Sequence, residues 1–172
     1  MGDEIVSSVD RMQRFRITED MSNLANFPLV LPNVSLDRPE RSGLAAYAGK
    51  SGVYCFVMRQ GPSCYMIYVG RTNSLLRRLK EYGNDFQPGT PNDYKLRHFQ
   101  RWMREIFTEA ELDLYFVEVR EPKALETDIL RKVQPFINER MHGDKEALLE
   151  SNWAFYRESF EKRLWGGNAK DK

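Results

Sequence analysis

The chain lacks any apolar run approaching the roughly 18–20 residues that a membrane-spanning helix needs, which argues against a membrane partner. Its first residues, Met1-Gly2-Asp3-Glu4-Ile5-Val6, are acidic and hold no hydrophobic stretch, against a secretory signal. Val6 stands where a myristoylation motif requires Ser or Thr. A cytoplasmic protein is expected. Two cysteines are too few for a disulfide framework, and with only two histidines no zinc-ligand spacing exists. Cys55 and Cys64 fall on adjacent predicted strands, with Cys55 opposite residue 67 or 68, and read as free thiols. His98 sits on a basic helix as a phosphate contact or a solvated side chain, and His142, beside Gly143, reads as loop. Strong charge of either sign is also missing: the net value of +1 provides no global attraction to nucleic acid. Repeats and low-complexity tracts are absent.

What is present describes one globular unit. In 172 residues, 41% apolar and 30% charged side chains suffice for one well-buried core and exclude a disordered chain. Phe27 to Val34 is apolar and punctuated by proline, and Gly43 to Gly49 reads as a short helical turn. From Gly52 the pattern sharpens. Val53 to Met58 and Cys64 to Val69 are rich in β-branched and aromatic residues around a Gln60-Gly61-Pro62-Ser63 turn, which predicts a hairpin. Ser74 to Tyr82 is a helix with Leu75, Leu76 and Leu79 on one stripe and Thr72 or Asn73 as its cap. Tyr94 to Phe107 is a second helix, with Leu96, Phe99, Trp102, Met103 and Ile106 inward. Leu112 to Val119 is a third strand with burial expected on both faces. Pro122 opens a helix that runs to about Gln134. A last helix, Lys145 to Leu164, carries Trp153, Phe155, Tyr156 and Phe160, read as core-packing in preference to a dimer face. The fold class is α/β (α+β): a small antiparallel sheet of about three strands flanked by helices. Residues 1–51 form an N-terminal extension, 52–138 the core, and 139–172 a C-terminal helical extension and tail.

Charge is concentrated locally. Between Arg71 and Arg104 eight basic residues stand against three acidic ones, a balance of +5. Arg71, Arg77, Lys80, Lys95, Arg97 and Arg101 are the candidate nucleic-acid contacts, since a positive face on a neutral protein suits a phosphate-binding groove.

Two tripeptides, Gly52-Val53-Tyr54 and Tyr68-Val69-Gly70, lie on the hairpin. The two tyrosines are 14 residues apart, so alternation along the strands decides whether they share a face. A five-residue loop, Arg59 to Ser63, sets them directly opposite; a four-residue loop, Gln60 to Ser63, pairs Tyr54 with Val69 and splits them. A shared face requires the odd loop or a bulge. Arg78 follows Gly70 by eight residues, and Tyr82 follows Arg78 by four, so both project from one helix face. Glu126 lies near the start of the Pro122 helix, where a carboxylate is favourable with the helix dipole, and Asn138 follows it by twelve. Gly43 to Lys50-Ser51 mimics a phosphate loop, but its glycines are one residue too far apart and a strand follows instead of a helix.

These motifs and the order strand, strand, helix, helix, strand, helix over Gly52 to Asn138 resemble the GIY-YIG nuclease family, across about half of the chain. Both tripeptides carry valine for isoleucine, which preserves strand propensity, and tyrosine at position 82 is one of two residue types the family accepts there. The resemblance implies a DNA endonuclease with one Mg²⁺ or Mn²⁺ per site, held by Glu126. It implies that Arg78 neutralises the phosphate, that Tyr54 activates water with Tyr68 orienting it, and that Tyr82 positions the phosphate or assists the leaving group. Gly70 and Asn138 would support the site. The stand-alone layout is similar to that of the family's small restriction endonucleases, which act on double-stranded DNA, often as homodimers. A structure-specific repair or recombination nuclease and a catalytically silent nucleic-acid-binding module are the alternatives. Target recognition is expected from the Gly83–Asn92 loop, the basic second helix and the terminal extensions.

Overall fold

The computed structural model describes residues 8–17, 27–36, 42–82, 91–133, 135–138 and 153–165. The predicted tail after Gly166, the start of the Lys145 helix, His142 and residues 83–90 of the recognition loop lie outside them. Strand β2 (Gly52–Gln60) pairs antiparallel on one side with β3 (Ser63–Thr72) and on the other with β4 (Glu111–Glu118). Strand β1 (Leu29–Leu31) pairs with the far edge of β4, so the sheet has four strands, in the order β1-β4-β2-β3, and not the expected three. Three residues between Pro28 and Pro32 are too short a run to read as a strand. They are held from outside, by Phe116 N–H donating to the Pro28 carbonyl at 3.1 Å and Val34 N–H donating to that of Leu112 at 2.7 Å.

The central strand is β2, and its residues from Gly52 to Val57 are buried on both faces. On β4, expected to be buried on both faces, Leu112, Leu114 and Phe116 are buried on one, and on the other Asp113 is buried while Tyr115 and Val117 are half-buried. One sheet face packs on α2 (Leu75–Tyr82), α3 (Pro91–Ile106) and α5 (Trp153–Trp165) through a single apolar cluster. The stripes responsible are Leu75, Leu79 and Tyr82 on α2 and Leu96, Phe99, Trp102 and Met103 on α3. Each such side chain contributes about 1.5–3 kcal/mol when fully buried. Tyr156, Phe160 and Leu164 of α5 are buried too, and Phe160 meets Trp102 at a ring separation of 5.6 Å, so the aromatic terminal helix is core. The opposite face is covered by α4 (Pro122–Lys132), whose Ile129, with Val133 beyond the helix end, packs on Val53, Cys55, Val57, Met66 and Val69. A short α1 (Ser8–Arg11) leads into a turn that buries Met12 and Phe15. Among the described residues no helix is long and apolar enough to cross a membrane.

The hairpin resolves the parity question by a route other than an odd loop. Gln60 pairs with Ser63 across a two-residue Gly61-Pro62 turn, where Gly61 supplies the positive φ, +55°, that such a turn needs. The register then shifts between Phe56 and Val57: Val57 faces Met66, but Phe56 faces Tyr68. Ile67 is the extra residue of this bulge. The one-residue shift brings Tyr54 opposite Gly70 and leaves Tyr68 as its diagonal neighbour on the same face. It also moves Cys55 opposite Val69, and not residue 67 or 68; both cysteines are free.

Candidate active site

Tyr54 projects from the central strand toward the end of α2. Its hydroxyl lies 2.8 Å from the Tyr82 hydroxyl and accepts a hydrogen bond from Arg78 Nε at 3.1 Å. The i,i+4 spacing on α2 is what brings Arg78 and Tyr82 to one place, and the guanidinium lies over the Tyr82 ring at 4.5 Å. Helix α2 starts here because Ser74 caps it: its Oγ accepts from Arg77 N–H at 3.4 Å, while Thr72, one of the two expected caps, accepts from Ser74 N–H at 3.1 Å. The Tyr68 ring lies 6.0 Å from that of Tyr54.

Gly70 makes room for this packing. A Cβ there would come within 2.6 Å of the Tyr54 ring and hydroxyl and 2.8 Å of the Tyr68 ring. Asn138 braces the same stretch from outside. Its side-chain amide donates to the Val69 carbonyl and accepts from Val69 N–H, both at 2.8 Å, so it acts as a strand partner for the edge of β3. Phe136 and Ile137 continue the pairing through their N–H groups to the carbonyls of Met66 and Ile67.

Burial pushes the Tyr82 hydroxyl well above the ordinary phenol range; neighbouring Tyr54 adds to this and Arg78 offsets part of it. Tyr68 is pushed up in the same way, by burial first and then by Tyr54, with Arg78 opposing and the Glu126 carboxylate adding a smaller rise. Both therefore keep their protons at neutral pH. The Tyr54 oxygen is the one to which the arginine donates directly.

Glu126 stands on α4 with its side chain one-fifth exposed, 3.4 Å from Arg71 Nε. Burial raises its pKa above the ordinary carboxylate value, and Arg71 pulls it back down. Arg71, Thr72, Asn73, Arg77, Arg78, Glu81, Ser51 and Pro122 line one open groove of about 460 Å³. Arg71 and Arg77 thus share the groove with Arg78, whereas Lys80, Arg97 and Arg101 do not line it. Arg101 instead lies over the Trp153 ring at 4.1 Å.

Two expectations fail outright. Lys95 is buried, donating from Nζ to the Ile137 carbonyl at 2.8 Å, so it holds the segment carrying Asn138 and does not face a phosphate. His98 is buried as well, stacked on Tyr156 at 4.8 Å, and is not a solvated phosphate contact. Sequence reasoning missed Glu81, which accepts from Arg78 Nη1 at 2.7 Å and Arg77 Nη1 at 3.1 Å. Its spacing of three and four residues from the two arginines was the available signal. Comparison of this chain with protein-family models, curated proteins and solved structures returned no match.

Proposed function

We propose that this protein is a metal-dependent DNA endonuclease of the GIY-YIG type that hydrolyses phosphodiester bonds. The observation carrying this reading is the convergence of Arg78 and Tyr82 on the Tyr54 hydroxyl, beside a groove lined by three arginines. One guanidinium then serves two charges. Arg78 donates to the oxygen that would take a proton from water, and it lines the groove where phosphate oxygens would lie.

A phenol has an unperturbed pKa near ~10 and needs stabilisation of its anion to act as a base. Two donors face the Tyr54 oxygen: Arg78 Nε–H donates to it, and the Tyr82 hydroxyl, which keeps its own proton, stands within hydrogen-bond distance. Tyr68, also protonated, serves better to orient the water than to deprotonate it.

Glu126 suits a hard divalent cation. It is a partly buried carboxylate whose neighbour, Arg71, is half exposed to solvent. Among the described residues no cluster of three His, Cys, Asp or Glu side chains exists. A lone carboxylate suits Mg²⁺ or Mn²⁺, which take one or two carboxylates with phosphate oxygens and water. A bound ion would supply Lewis-acid stabilisation of the charge developing on the phosphate and leaving oxygen. Arg71 neutralises Glu126 in the free protein and is placed to turn to a phosphate instead.

A restriction-type enzyme acting on double-stranded DNA is the first reading; a structure-specific repair nuclease and a silent binding module are the rivals. Arg78→Ala should lower cleavage by about 10²–10³-fold while weakening DNA binding only by one phosphate contact. Unchanged turnover would remove Arg78 from the site. Incubating the wild-type protein and Mg²⁺ with plasmid, linear duplex and branched DNA separates the readings. Discrete plasmid fragments mean restriction, branch-dependent nicks mean repair, and binding without cutting means a module.

A further inference from the structure

Arg78 is held at more points than a surface arginine on a two-turn helix would be. Its Nε donates to Tyr54, its plane lies over Tyr82, and its Nη1 donates to Glu81 Oε2 at 2.7 Å. The side chain is only 13% exposed, against 58% for its neighbour Arg77, so the three contacts fix the guanidinium plane and do not merely decorate it. The other oxygen of Glu81 takes Arg77 Nη1 at 3.1 Å, and Arg77 Nη2 in turn reaches Asn73 Oδ1 at 2.6 Å. Glu81 thus bridges two arginines that line one groove.

A carboxylate there is unfavourable for affinity. It places a negative charge beside the surface on which a polyanion would lie, and like charges repel where the groove should attract. An ordinary exposed i,i+4 ion pair contributes little stability in return. What Glu81 does provide is orientation, because a planar fork is useful only when its direction is fixed.

We propose that Glu81 is a positioning residue: it holds Arg78 in the orientation that meets both Tyr54 and the phosphate, at the expense of ground-state DNA affinity. This rests on the nuclease reading, and it predicts that removing Glu81 moves binding and turnover in opposite directions. A merely structural role would weaken both, and a merely electrostatic one would tighten binding without slowing the reaction.

The test uses full-length Glu81→Ala and Glu81→Gln proteins. In Glu81→Ala, duplex affinity measured without Mg²⁺ should rise about fivefold, as expected for one added net positive charge in the groove. Its single-turnover cleavage rate with Mg²⁺ should fall about tenfold or more, as expected for a misplaced catalytic group. Glu81→Gln should show the same gain in affinity but recover most of the lost rate, because its amide oxygen still accepts from Nη1. A wild-type rate in Glu81→Ala, an equal loss in both variants, or weaker DNA binding would each overturn the proposal. A readout independent of cutting is the hydrogen exchange of the Arg78 Nε–H, followed by ¹⁵N NMR. It should be slow in the wild type and Glu81→Gln and fast in Glu81→Ala; equal rates in all three would refute the positioning role. If the wild-type protein fails to cut any DNA, the nuclease reading falls, and the exchange rates still decide whether Glu81 holds Arg78.

Discussion

Glu126→Gln should abolish DNA cleavage and leave a protein at least as stable as the wild type at neutral pH. The substitution keeps the shape and removes the charge, so a divalent cation would lose the carboxylate proposed to hold it. A loss of about 10²–10³-fold or more is expected in the single-turnover rate. The stability half of the prediction follows from burial. Glu126 has a folded-state pKa raised above the ordinary value, so the native protein binds this proton more tightly than the unfolded chain does. Stability therefore falls as pH rises from the unfolded pKa through the folded one, and the penalty persists above both. The Gln variant carries no such penalty. Its Tm should equal or exceed that of the wild type at pH 7, and the difference should vanish once the pH drops below the ordinary carboxylate range. Arg71, left without its partner, is half exposed and can be hydrated. Undiminished cleavage by the variant would remove Glu126 from the site, and a markedly lower Tm would show its charge to be structural.

The second large effect concerns the two motif glycines, which the structure separates by mechanism. A Cβ on Gly52 would lie 2.1 Å from the Val117 carbonyl oxygen and 2.6 Å from the Phe116 ring. The oxygen belongs to the backbone of β4, which is paired with the central strand and cannot withdraw without breaking the ladder. Gly52→Ala should destabilise the protein by about 3 kcal/mol, the upper range for overpacking, lowering Tm by about 6–12 °C in a domain of this size. The three atoms nearest a Cβ on Gly70 all belong to the Tyr54 and Tyr68 side chains. Side chains give way more readily than a paired backbone, and displacing Tyr54 disturbs its contacts with Arg78 and Tyr82, so the main effect of Gly70→Ala should be on cleavage, with the smaller loss in Tm. Thermal unfolding of both variants beside their cleavage rates checks the contrast; the reverse ordering of Tm losses would contradict it.

Much of this arrangement was legible because it depends on local periodicity. β-Branched and aromatic runs around a turn marked the hairpin, the Leu75/Leu79 stripe marked α2, and a four-residue spacing was enough to bring Arg78 and Tyr82 together. The strand parity of Tyr54 and Tyr68 posed the right question but could not answer it. The answer is a bulge at Ile67, whose cause lies in pairing with β2 and in the 135–138 segment along the other edge, not in any local signal. β1 was illegible for a similar reason: three residues between prolines become a strand only because β4 offers an edge. Charge counting misjudged Lys95, whose partner is a carbonyl 42 residues away. It also treated Arg71, Arg77 and Arg78 as open cations, although Glu126 and Glu81 already engage them.

Tyr54, Arg78 and Tyr82 are proposed to form the proton-accepting and phosphate-binding wall of a hydrolytic site completed by Glu126. The most direct test is the conversion of supercoiled plasmid by the purified full-length protein, with Mg²⁺ and with EDTA. Nicked and linear products that need Mg²⁺ and disappear with both Arg78→Ala and Glu126→Gln are the predicted result. Intact plasmid under all Mg²⁺ and Mn²⁺ concentrations, from a folded protein that still binds DNA, would contradict it.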